Sequence, residues 1–215
     1  MAYIVASYSS AVSPNLEVFF EANTDDIILL TYSDRYATYS PPSWTGWNAV
    51  SYNKTTYNGG DNAVWWKRAT ATGSDSVAIT VSNNACWLNA HVIRWVDTIN
   101  AFDVTTVSRA TSNQNPLQSN QISPVTDNTL IFHHMFSDGY AGVFDANIVN
   151  ASDFYKAGHS YHYSAFSYAN SGDTTPVENF YFANTWTRSF TWITFAFRDD
   201  WTNKKVWYVD DSIMS

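Results

Sequence analysis

The sequence predicts an all-β fold, an antiparallel two-sheet sandwich. Aromatic residues make up 17% of the 215 residues and charged residues only 14%, a balance that favours pleated, half-buried surfaces. Apolar or alternating runs are separated by turn residues at intervals of roughly 8–12 positions, as in sandwiches. Nowhere do apolar residues recur with sustained helical spacing between capping signals.

A second observation is that two stretches of the sequence resemble each other. The stretch 25–97 opens on DDIILL and closes on RWVD, and the stretch 127–199 opens on DNTLIF and closes within FRDD. Asp25 and Asp97 are as far apart along the chain as Asp127 and Asp199. The pattern predicts one domain over residues 1–215, built from two similar halves.

In the first half, continuous apolar sequence between acidic and serine-containing turns predicts a buried strand at 27–32. Trp65 and Trp66 are neighbours on a predicted strand, so their side chains point to opposite faces, and we expect both to be packing residues. The segment YSPPSWTG is predicted to be a loop, because two prolines forbid regular pairing. The strands predicted in this half are residues 3–8, 16–20, 27–32, 47–52, 64–69, 77–81 and 87–96.

The polar, proline-containing segment 111–120 predicts the crossing between the halves. In the strand that ends the second half, Ile193, Phe195 and Phe197 share one face. Residues 150–154 are expected to form a helical turn. The strands predicted after the crossing are residues 129–135, 141–149, 159–168, 180–182 and 190–197, with an edge strand at 206–209.

Composition excludes several classes of function. The net charge of −8 argues against a nucleic-acid partner, which requires a basic surface. The sequence has no apolar run near the roughly 20 residues that span a bilayer, and its start lacks the features of a signal peptide. Cys86 is the single cysteine, so no internal disulfide forms, and a small buried hydrophobe is its expected role.

The sequence contains no motif of an active site, so we predict no catalytic residue, no cofactor and no metal ligand. His133 and His134 are adjacent on a strand and must point to opposite faces; a metal site joining one of them to His159 or His162 is the alternative to structural roles. His91 is expected in the core. Acidic pairs such as 25–26, 199–200 and 210–211 indicate either turn chemistry or Ca²⁺ ligands.

Aromatic side chains give the better indication of function. Trp44 and Trp47 flank the Pro-Pro loop, and Trp201 follows the last predicted strand of the second half. Flat rings on loops stack on sugars or fill a partner's pocket, so these three tryptophans are the predicted partner or glycan contacts. The alternative is that the rings close the open end of the sandwich, or that Trp201, like Trp192, packs in the core or between subunits.

Four motifs resemble a module of predicted tailed-phage structural proteins. They are DDIILL at 25–30, PPSWTGW at 41–47, WWKRA at 65–69 and IRWVDT at 93–98. The module has an acidic-turn strand, a Pro-Pro-Gly-Trp-Thr loop, a Tyr-Tyr-Lys-Val-Ala strand and a Tyr-Arg-Gly-Val-Asp-Thr strand end. The second half, with residues 127–132 and 190–198, is similar to the second repeat of the module. This chain departs from it at Ser43-Trp44 and at Trp95, which replaces glycine.

The resemblance implies a jelly-roll-like sandwich on the surface of a virion, made in the cytoplasm of a bacterial host. Within that class we expect a non-enzymatic capsid decoration or cement protein, because the chain lacks the shaft of a trimeric fibre. Expected partners are further copies of the chain, with a trimer as the predicted assembly, and the major capsid protein or another virion protein. The alternative is a carbohydrate-binding module of a tail fibre, with a host glycan as ligand.

Overall fold

The structure is a computed structural model. It describes residues 2–11, 15–34, 45–54, 61–80, 86–112, 117–118, 121–137, 144–145, 153–159, 162–172, 179–182 and 189–200. Strands, turns and bends account for the regular structure of these residues, and no helix occurs among them. The predicted all-β fold is confirmed.

The strands are numbered in chain order. They are β1 (Tyr3–Ala11), β2 (Asn15–Ala22), β3 (Ile27–Asp34), β4 (Asn48–Lys54), β5 (Asp61–Arg68), β6 (Gly73–Thr80), β7 (Cys86–Arg94), β8 (Phe102–Ser112), β9 (Leu117–Gln118), β10 (Thr129–Ser137), β11 (Phe144–Asp145), β12 (Asp153–His159), β13 (His162–Ala169), β14 (Asn179–Phe182) and β15 (Ser189–Phe197).

Two five-stranded sheets form the main layers. The first sheet has the order β1-β7-β3-β5-β4, and the second sheet has the order β12-β13-β10-β15-β8. Two smaller sheets, β2-β6 and β11-β14-β9, accompany them. Every described strand pair is antiparallel, so the predicted antiparallel sandwich is confirmed.

The central core, as we call the apolar layer between the first and second sheets, is rich in phenylalanine. The Phe132 ring lies 4.9 Å from Phe166 and 5.1 Å from Phe195, measured between centroids. Trp66 on β5 meets Phe102 on β8 edge-on at 5.2 Å, a contact that joins the two sheets. Other members are Ile27, Leu29, Val64, Ile93, Leu130, Ile193 and Phe197. Edge-to-face and tilted rings at these distances add to the free energy gained by burial alone.

The outer core, as we call the layer between the first sheet and the β2-β6 pair, uses the opposite faces of β3, β5 and β7. Leu16, Val18 and Phe20 alternate with exposed residues along β2, as a strand with one wet face requires. They pack against Ile28, Leu30, Tyr32, Trp65, Cys86, Leu88, Ala90 and Val92. Because Trp65 lies here and Trp66 lies in the central core, the prediction of opposite faces is confirmed, as is the burial of Cys86.

The two five-stranded sheets have matching strand orders. Each strand of the first sheet has a counterpart at the same position in the second sheet when the second order is read in reverse. The counterparts are β1 and β8, β7 and β15, β3 and β10, β5 and β13, and β4 and β12. The edges also contact reciprocally, β1 with β12 and β4 with β8, as a twofold relation between the halves would require. A common origin of the halves and the description as a jelly roll stay predictions.

When the two halves are aligned by the faces on which their side chains lie, the alignment is shifted by one residue from the one that the acidic sequence pattern gives. Ile27 on β3 and Leu130 on β10 both face the central core, and one step of register would exchange the faces. The turns agree: Asp25 and Asn128 both have left-handed backbones, with φ of 71° and 56°. Asp25 therefore corresponds to Asn128, whereas the acidic pattern matches it to Asp127.

Some element predictions differ from the structure. The helical turn expected at 150–154 is wrong at residues 153 and 154, which begin β12. The strand β8 is absent from the predicted strands, since its alternating Thr, Ser and Val residues lack a continuous apolar run, and it extends into the expected crossing. The predicted edge strand at 206–209 and most of the YSPPSWTG loop lie outside the described residues.

Replacing Phe132 by alanine tests the central core. Phe132 is fully buried, and removing such a ring costs about 3–5 kcal/mol of the free energy of unfolding. Urea denaturation measures this loss. Phe19→Ala is the control, because Phe19 is 63% exposed on β2 and its removal should change the free energy by about 0.5 kcal/mol or less. Equal effects of the two changes would contradict the assignment of the core.

Candidate functional site

A cleft with an aromatic ring and charged side chains lies beside Trp47. It has a volume of about 450 Å³ and is bordered by the turn before β4, the end of β5 and the turn before β6. Gly46, with a φ of 83°, makes the turn that leads into Trp47. The indole is partly buried and packs against the outer core, so this ring both supports the core and borders the cleft.

Lys67 controls the electrostatics of this cleft. Its Nζ atom lies 4.8 Å from the centre of the Trp47 ring and 5.5 Å from that of Phe20, both within cation–π range. The same ammonium lies 2.6 Å from Oδ2 of Asp75, and its hydrogen bond lowers the pKa of that carboxyl. Asp75 therefore stays ionised, and the cleft presents a paired cation and anion beside an indole.

The cleft contains groups that bind and orient a ligand. Hydroxyl side chains of Thr45, Thr72 and Ser74 border it together with Lys67 and Asp75. These groups donate and accept hydrogen bonds, and the aromatic ring offers an apolar surface. Since the Lys67 ammonium already covers part of the Trp47 ring, the predicted alternative of a packing role fits this tryptophan as well as the contact role does.

The other two predicted contact residues lie elsewhere. Trp44 and Trp201 are outside the described residues, as is the side chain of Trp192. Asp200, which precedes Trp201, is buried and donates its backbone N–H to the carbonyl of Trp95 at 2.8 Å. The structure therefore tests the local geometry of Trp47 alone among the three.

The histidines have structural positions. His133 Nδ1 lies 3.3 Å from the Thr194 hydroxyl, whereas His134 Nδ1 lies 3.2 Å from Ser164 and its ring stacks at 6.0 Å on Phe132 of the central core. The prediction of opposite faces is confirmed. His91 is fully buried against Phe132 and Phe166, as expected of a core residue. Burial lowers the pKa of His91 and of His133 to about 3, so both rings are neutral.

The first acidic pair serves the turn before β3. Oδ2 of Asp26 accepts the Asn23 backbone N–H at 2.8 Å, and both carboxylate oxygens accept hydrogen bonds from Arg94 at 2.9 Å. This pairing raises the pKa of Arg94 above its ordinary value. Turn chemistry is therefore the role of Asp26. No group of three or more His, Cys, Asp or Glu side chains that would hold a metal ion occurs in the described part of the chain.

One exposed aromatic is not among the predicted contact residues. Trp95 is 43% exposed and has a φ of 61°, a backbone region that favours glycine and makes a bulky residue an outlier. The sequence carries a signal for this position, because Trp95 is where the resembling motif has glycine. The replacement of glycine by tryptophan does not by itself indicate a site. It does so only together with the left-handed backbone and the exposure of the ring, which the sequence does not show.

The comparisons with known proteins give no relative. No protein-family model matches the chain, and searches of curated proteins and of solved structures returned no match. Within the ranges that the structure describes, no helix has the length and hydropathy to cross a membrane.

Acid should destabilise the fold through the buried histidines. A histidine with a folded pKa of about 3 and an unfolded pKa near 6.5 gives full stability above pH 6.5, and this contribution is lost as the pH falls from about 6.5 to 3. Between pH 7 and pH 5 the loss is about 2 kcal/mol for each such ring. His133→Asn should reduce the decrease in unfolding free energy over this range by about that amount, as measured by urea titration at both pH values. An unchanged decrease would contradict burial of a neutral His133.

Proposed function

We propose that the chain is a non-enzymatic surface protein of a bacteriophage particle, with capsid decoration as its leading role. Two lines support the proposal: the resemblance of the motifs at 25–30, 41–47, 65–69 and 93–98 to a phage structural module, and the all-β sandwich itself. The fold alone does not imply a function. The state of the ionisable side chains carries the argument further.

The observation that favours adhesion over catalysis is that several ionisable side chains form structural hydrogen bonds or are buried in neutral form. Asp26 is held by Arg94, and Asp103 accepts the Thr126 hydroxyl at 2.6 Å and the Val125 N–H at 2.7 Å. His91 and His133 are neutral in the interior. Catalytic acids and bases are instead tuned toward the working pH and are free to meet a ligand in a cleft, whereas these two histidines are shielded from solvent and these two carboxylates are engaged by Arg94 and by Thr126.

A decoration protein works by adding buried contact between neighbouring capsomers. Each Å² of apolar surface that leaves water contributes roughly 25 cal/mol, so a modest apolar contact repeated over a shell adds considerable stability. Exposed apolar side chains available for this include Phe19 and Val5. The proposed partners are the major capsid protein or another virion protein, and further copies of the chain, for which a threefold assembly fits shell positions of that symmetry.

Particles that lack this protein should assemble but lose their contents at a lower temperature or under milder salt stress, because the contacts between capsomers are fewer. A genome-release assay during a temperature ramp measures the shift. Adding the purified protein back to such particles is the control and should restore the original release temperature. Particles of normal stability would contradict the shell role, and a copy number of only tens per particle would place the protein in the tail.

A second candidate function, glycan binding by a tail-fibre module, is favoured by the cleft beside Trp47. An indole with hydroxyl groups, a carboxylate and an ammonium around one cleft has the combination of apolar surface and oriented polar groups that ligand sites use. Sugars present both surfaces, since their C–H faces stack on rings and their hydroxyls form hydrogen bonds.

Trp47→Ala should weaken binding of host polysaccharide by roughly tenfold or more if the second candidate function holds, as removal of a buried aromatic anchor does. Quenching of tryptophan fluorescence during titration with the polysaccharide measures this affinity. Phe19→Ala, which removes an exposed ring outside the cleft, is the matched control. Equal affinity of the wild-type chain and the Trp47 variant would rule out this cleft as the glycan site.

A further inference from the structure

We propose that a second, smaller cleft beside Trp95 binds one sugar ring of a polyhydroxylated saccharide, with the Trp95 indole as the stacking surface. The cleft has a volume of about 210 Å³ and lies where the turn before β3 meets the segments that follow β7 and β15. This site is independent of the shell role and distinct from the cleft beside Trp47.

The exposure of Trp95 is the first observation. Of the tryptophan side chains that the structure describes, Trp95 alone is exposed, whereas Trp65 and Trp87 are buried. Its ring meets Tyr3 edge-on at a centroid distance of 4.9 Å. Tyr3 thus packs against one side of the indole and fixes its orientation. The other side of the ring therefore stays exposed to solvent.

The backbone of Trp95 is the second observation. A φ of 61° places a bulky side chain in the left-handed region, where glycine carries no steric penalty. Strain of this kind persists only where the surrounding structure imposes it, and it concentrates at functional sites. Stability alone therefore favours glycine at this position, and the presence of tryptophan calls for a use of the exposed ring.

The walls of the cleft are held in place before any ligand arrives. Asp26 and Arg94 border the cleft and form their paired hydrogen bonds there, and Arg68 donates to the backbone carbonyls of Asp25 and Asp97, each at 2.7 Å. The N–H of Asp200 binds the Trp95 carbonyl at 2.8 Å. Such preorganisation reduces the entropy that binding must overcome.

The chemistry of the walls selects a small polyhydroxylated ligand. Asn23, Thr24 and Thr98 border the cleft and are exposed, as is Asp25. Amide and hydroxyl groups donate and accept, while an ionised carboxylate accepts, so hydroxyl-rich ligands are served on several sides. The volume lies below the roughly 300–1,000 Å³ of clefts for drug-sized molecules, which fits one sugar ring at the end or at a branch of a glycan.

The second half of the chain does not repeat the feature. β7 ends at Arg94 and the equivalent strand β15 ends at Phe197, and the residues that follow them are Trp95 and Arg198. The Arg198 side chain is 28% exposed and its Nε atom lies 3.6 Å from Oδ1 of Asp103. Among the described residues, an exposed ring therefore follows β7 but not β15, which a requirement common to the fold of both halves would not explain.

The test uses the full chain and an array of monosaccharides and oligosaccharides from bacterial surface polysaccharides. The wild-type chain should bind a subset, and Trp95→Gly should weaken that binding by roughly tenfold or more while its melting temperature is unchanged or higher, because glycine suits the backbone. Asp25→Asn, which keeps a residue tolerated at its own left-handed φ, should also weaken binding.

Phe19→Ala, which removes an exposed ring that borders neither cleft, is the control variant and should bind the same saccharides as the wild-type chain does. Absence of saccharide binding by the wild-type chain would overturn the proposal, as would equal binding by the Trp95→Gly variant. A change in oligomeric state upon Trp95→Gly, without a change in saccharide binding, would assign the ring to a protein contact instead. Each of these results leaves the particle-stability test of the shell role unaffected.

Discussion

Packing of aromatic side chains between the two five-stranded sheets is the interaction on which the rest of the structure depends. Phe132, Phe166 and Phe195 pack at ring distances of about 5 Å against the aliphatic face of β3, β5 and β7. Because both sheets contribute to the same layer, neither buries its apolar face alone. The chain contains no internal disulfide, since Cys86 is its single cysteine, so burial must supply the stability that covalent links give to smaller extracellular folds.

The central core also determines where ligands and partners can bind. The first sheet is covered on both faces, by the second sheet and by β2-β6, so its middle strands are inaccessible. The two clefts with exposed polar groups and an aromatic ring lie instead at turns, beside Trp47 and beside Trp95. A rigid sandwich that presents side chains from its turns is a common arrangement for recognition. It is consistent with a protein that works by adhesion.

Local pattern is sufficient to predict the all-β class, the opposite faces of Trp65 and Trp66 and the burial of His91, since alternation and apolar runs report directly on strands. It is insufficient for β8, whose polar alternating residues are paired through β15, and for the one-residue offset between halves, which only side-chain faces reveal. Of the predicted contacts, Trp47 borders a cleft. Trp95 escapes prediction because an unusual φ is a property of the folded chain, and sequence shows it only as a residue that replaces glycine.

Amide hydrogen exchange tests most directly whether the shared aromatic layer makes one cooperative unit of the two sheets. The amides of β3 and β7 in the first sheet and of β10 and β15 in the second should be the slowest to exchange. They should also report the same free energy of opening, because loss of either sheet exposes the common core. Fast exchange throughout one sheet while the other remains protected would show that the halves are stable independently. That result would contradict the dependence of both sheets on a single aromatic core.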